Sequence, residues 1–84
     1  MRYNIGGYKM IFDQVKDIIV EELGVNAQDV SLEARLSEDL GADSIDAVEL
    51  IMKIEDTFNV AVSDEQAQAI KTVGDIVSFL EENK

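Results

Sequence analysis

The chain has 84 residues, 46% hydrophobic and 30% charged, enough apolar content for one small core and too few residues for a second. Seven basic side chains stand against eighteen acidic ones, a net charge of −11. Such a surface repels nucleic acid phosphates and anionic lipid and favours basic patches on other proteins. Cysteine and histidine are both absent. That removes disulfides, thiolate or imidazole metal sites, and the ordinary base partner of a nucleophilic serine, so no catalysis is expected.

Residues 1–9 carry two glycines (Gly6, Gly7) and two basic residues (Arg2, Lys9) in a pattern that is neither helical nor strand-like. Met10 offers an alternative start, so a loosely ordered extension over 1–9 ahead of one domain over 10–84 is expected. From Ile11 to Leu23 the residues Ile11, Val15, Ile18 and Ile19, flanked by Phe12 and Leu23, form a helical stripe, and Gly24 stands where a C-cap glycine belongs. Val25 to Asp43 reads as a long loop pinned by Val25, Val30, Leu32, Leu36 and Leu40, with a short turn near Leu36. A connection of that length in a compact domain is often functional.

A second helix is predicted from Ser44 to about Phe58, with Ser44 placed as its N-cap. Ala47, Leu50, Ile51, Ile54 and Phe58 form its core-facing stripe. Ile45, Val48 and Met52 form a second apolar row, bordered by Asp46, Glu49, Glu55 and Asp56. Either that row packs on the long loop or it faces a partner, and periodicity does not choose between them. Val60-Ala61-Val62 is too brief for a sheet. Ser63 to Gln66 has the spacing of a capping box and starts a short helix over Asp64 to Ala69. Thr72 and Asp75 cap a last helix with Val73, Ile76, Val77 and Leu80 inside and Phe79 flanking. The expected fold is all-α, a small four-helix bundle of three longer helices and one short one with a long first loop. No apolar run approaches a membrane span and no secretory pattern opens the chain, so a cytoplasmic monomer without membrane insertion is expected.

Leu40-Gly41-Ala42-Asp43-Ser44-Ile45-Asp46, followed by Val48-Glu49-Leu50, resembles the attachment motif of free-standing (type II) acyl carrier proteins. The similarity runs from about Ile11 to Leu80 and takes in Glu38-Asp39, Glu55-Asp56, Phe58, Val62-Ser63-Asp64-Glu65 and Thr72-Val73. This resemblance implies that a phosphopantetheinyl transferase (holo-acyl-carrier-protein synthase) moves 4′-phosphopantetheine from coenzyme A onto Ser44. The arm's thiol then carries acyl chains as thioesters to fatty acid synthesis enzymes with basic docking patches. Matched position by position, the resemblance implies that Asp43, the acid preceding the modified serine, orients transferase docking, with a plain solvated acid as the alternative. Ile45, Asp46, Val48, Glu49, Met52, Glu55 and Asp56 complete the docking face. Ala47, Leu50, Ile54 and Phe58 match the inward face that shelters an acyl chain, a role compatible with being ordinary core. No metal ligand is implied.

Three positions depart from the family's usual pattern: Ile45 where leucine is common, Ser63 where many members have proline, and Lys53 within the acidic helix. Two alternatives stand beside the fatty acid carrier. One is a carrier for polyketide, aminoacyl or specialised lipid assembly. The other is an acidic adaptor in which Ser44 only caps a helix, with Asp39, Asp43, Asp46 and Glu49 weakly attracting a divalent cation.

Overall fold

Helix α1 spans Ile11–Leu23, α2 Ser44–Phe58, α3 Asp64–Ala69 and α4 Val73–Glu82 in a computed structural model that describes residues 10–83. The extension expected over 1–9 lies outside the described residues. Helix α1 buries Val15, Ile18 and Ile19 and packs against α2 and α4. It stops at Gly24, whose φ of +69° is a left-handed turn, with its N–H bonded to the Val20 carbonyl at 2.9 Å. Leu50 and Ile54 come from α2, and Val73, Ile76, Val77 and Leu80 from α4, to close the core. Leu50, Ile19 and Ile76 are 0%, 0% and 1% exposed, and burying such side chains stabilises by about 1.5–3 kcal/mol each.

Among the described residues the Val60–Val62 run forms no strand, and β-pairing is confined to one isolated antiparallel bridge, Arg35 with Thr72. That bridge belongs to a backbone seam holding the long connection to the start of α4. The Leu36 N–H donates to the Lys71 carbonyl (3.0 Å), Val73 to Ala34 (3.0 Å) and Gly74 to Leu32 (2.9 Å). Val30, Leu36 and Leu40 are buried as anchors, joined by Ala34 and Ala42. Leu32 corrects the expectation, because its side chain is 51% exposed. Its carbonyl is the anchor instead. A Cβ added to Gly74 would sit 2.9 Å from that oxygen, so the close approach requires glycine. The connection also holds a 3₁₀ turn at Ala27–Asp29.

Helices α3 and α4 start with the predicted capping boxes, Ser63 with Gln66 and Thr72 with Asp75. The Asp75 carboxylate accepts the backbone N–H of both Lys71 (2.9 Å) and Thr72 (3.0 Å). These bonds, that from Lys71 first, hold its pKa below the ordinary carboxylate value despite partial burial.

Candidate functional site

The turn before α2 is set by a left-handed Gly41 at φ +74° and by two backbone bonds, Gly41 N–H to Ser37 (3.1 Å) and Ala42 N–H to Leu36 (2.8 Å). Leu40 and Ala42 bury their side chains on either side of that glycine, which presents Asp43 and Ser44 at the surface. Asp43, and not Ser44, is the N-cap. Its Oδ1 accepts the Asp46 N–H at 2.8 Å, and its own N–H donates to Asp46 Oδ2 at 3.3 Å. The reason is reciprocity. Asp43 has a carboxylate three residues on to complete the box, whereas Ser44 has Ala47 there. Ser44 is thus the first residue of α2. Its side chain is exposed and its hydroxyl enters no hydrogen bond among the described residues.

Beside Ser44 lies a cleft of about 570 Å³, walled on one side by Ala47, Val48 and Ile51 of α2 and on the other by Ala67, Gln68 and Lys71. A narrower cleft of about 250 Å³, bordered by Leu36, Ala42 and Ile70, shares Ala47 and Lys71 with it. Of the four residues matched to an acyl-sheltering face, only Ala47 borders these clefts. Leu50 and Ile54 are closed in the core, at 0% and 2% exposure. Phe58 lines a separate pocket with Ile11, Val60 and Leu80. Ala67, Gln68 and Lys71 had no signal in the sequence, because a helix as short as α3 has no stripe to read and buries no residue.

The outer row does not pack on the long loop: Ile45, Val48 and Met52 are 68%, 57% and 57% exposed. Glu49 and Asp56 stand exposed beside them. The other acids of that face also have internal partners. Asp43 and Asp46 form the cap, and Glu55 Oε2 accepts the Val62 N–H at 2.8 Å, tying down the chain after α2. Lys53 turns to Glu21 of α1 at 3.9 Å.

Among the described residues no group of three acidic side chains is placed to hold a metal ion, so Asp39, Asp43, Asp46 and Glu49 do not form the cation site considered above. Asp39 is occupied by Arg35, whose backbone N–H lies 2.8 Å and whose Nε lies 3.3 Å from Oδ2. These two bonds, the backbone one first, lower the Asp39 pKa, and the side-chain bond to Asp39 raises that of Arg35. No described helix is long and apolar enough to cross a membrane.

The geometry is that of a small acidic helical domain presenting one exposed serine hydroxyl at a helix start, beside a cleft. The family described as phosphopantetheine attachment site matches residues 13–80. An acyl carrier protein of Wolinella succinogenes is 51% identical over 74 residues, 88% of this chain and 97% of its own length. One of Sulfurovum sp. is 48% identical over 71 residues, covering 84% and 95%. A solved acyl carrier protein structure from Enterococcus faecalis matches with a TM-score of 0.76 at 34% identity, covering 88% of this chain and 94% of that one. The chain belongs to the acyl carrier protein family. It carries acyl groups by means of 4′-phosphopantetheine and is not itself a catalyst.

Proposed function

We propose that Ser44 is the residue that receives 4′-phosphopantetheine and that the loaded domain, residues 10–84, delivers growing acyl chains to fatty acid synthesis enzymes. The observation that carries this is the free Ser44 hydroxyl: Asp43 performs the capping that would otherwise occupy it. An exposed primary alcohol at the first turn of α2 is open to a transferase. When bound, the arm supplies the thiol that this cysteine-free chain lacks. Ile45, Val48 and Met52 supply an apolar contact for partner enzymes. The exposed Glu49 and Asp56 steer basic patches toward it, and Asp43, Asp46 and Glu55 add charge while holding the backbone.

The test is intact mass before and after incubation with coenzyme A and a phosphopantetheinyl transferase. The parent gains one phosphopantetheine. Ser44→Ala gains none and keeps its melting temperature, because the cap belongs to Asp43. Conversely Asp43→Ala loses about 1 kcal/mol of stability. A gain in Ser44→Ala, or no gain in a folded, unloaded parent, rejects the assignment.

A further inference from the structure

The seven residues lining the cleft beside Ser44 include one charged side chain, Lys71. Its root is clamped on both sides. The Lys71 N–H donates to Asp75 Oδ2 at 2.9 Å and its carbonyl accepts from Leu36 at 3.0 Å. The other cations of the described residues are engaged elsewhere. Arg35 is held by Glu38 (3.0 Å) and Asp39 (3.3 Å), Lys53 faces Glu21, and Lys16 lies 5.2 Å over the Phe12 ring. Among the described residues the Lys71 ammonium makes no such ion pair. Asp75, the acid that feels its charge, is already bonded to two backbone N–H groups.

The α2 N-terminus, by contrast, is a weak anion site in this chain. Asp43 and Asp46 place two carboxylates on it, and their charge opposes the attraction that the helix end offers. A phosphodiester on Ser44 therefore meets repulsion from its own helix and attraction from the opposite wall. We propose that the Lys71 ammonium positions the prosthetic arm by pairing with the phosphodiester across the cleft. This rests on Ser44 being the attachment residue. The pairing directs the arm toward Ala67 and Gln68 and away from Ile45 and Met52, so those two residues of the outer row stay uncovered for partners.

Phosphorus NMR on the full-length, loaded protein tests this, after intact mass has shown one phosphopantetheine on each sample. In the parent, the phosphodiester resonance moves with added NaCl as the ion pair is screened. In Lys71→Gln it already sits at the high-salt position at low salt and loses that response. Lys71→Glu displaces it further in the same direction, and Lys53→Gln behaves like the parent. Circular dichroism shows the same fold throughout, since the Lys71 side chain is exposed. If Lys71→Gln keeps the parent's resonance and salt response, the pairing is overturned and the attachment stands. If the parent accepts no arm at Ser44, both fall.

Discussion

The inner and outer rows of α2 are alike in composition and opposite in fate. Leu50 and Ile54 on one side are closed in the core where α2 packs on α1, whereas Ile45, Val48 and Met52 on the other meet solvent over more than half their surface. Both rows have the spacing of a buried stripe, and hydrophobicity alone would bury either. The difference lies in what the neighbours cover. The long connection could have lain over the outer row. Its backbone seam to Lys71, Val73 and Gly74 draws it to the α4 side instead. The open row is the surface proposed above for partners, and the buried row beside it is what keeps the helix in place.

Leu50→Ala is the strongest way to break this contrast. Removing a fully buried leucine leaves a cavity at the α1–α2 contact, and a loss of about 2–5 kcal/mol in urea unfolding is expected. A loss no larger than that of an outer-row variant would mean that the two faces are not distinct.

Asp75→Asn tests the seam instead of the core. Its carboxyl has a lowered pKa in the folded state, so its contribution is fully present above the ordinary carboxylate pKa and is lost as pH falls through the folded value. The variant should be about 1 kcal/mol less stable than the parent at neutral pH. That gap should close in melting curves taken below about pH 4. A gap independent of pH would show that charge at Asp75 contributes nothing.

The smallest effect is expected for Val48→Ala and Met52→Ala, each within about 0.5 kcal/mol of the parent in unfolding. Their consequence should appear in binding, as a slower transferase reaction at low concentrations of carrier. Stability losses comparable to that of Leu50→Ala would place the outer row in the core after all.

Much of the fold was legible along the chain because its signals are local. The stripe over Ile11–Leu23, the stop at Gly24, and the boxes of Ser63 with Gln66 and Thr72 with Asp75 each lie within one helical turn or repeat at its period. The family resemblance was legible for the same reason, since the stretch that carries it is seven consecutive residues. The N-cap of α2 was misplaced by one residue because Asp43 and Ser44 are both good caps. Only the reciprocal bond to Asp46 separates them.

By itself the sequence determined an acidic all-α domain with four helices, a single core, and a serine at the start of the second helix. Those properties follow from composition, period and capping, which act between residues close in the chain. Tertiary structure alone decided which apolar row of α2 faces solvent, that Leu32 holds the connection by its carbonyl, and that Ala67, Gln68 and Lys71 wall a cleft opposite Ser44. These are contacts between elements distant in sequence, set by how the long connection closes over the bundle, and no local pattern encodes that closure.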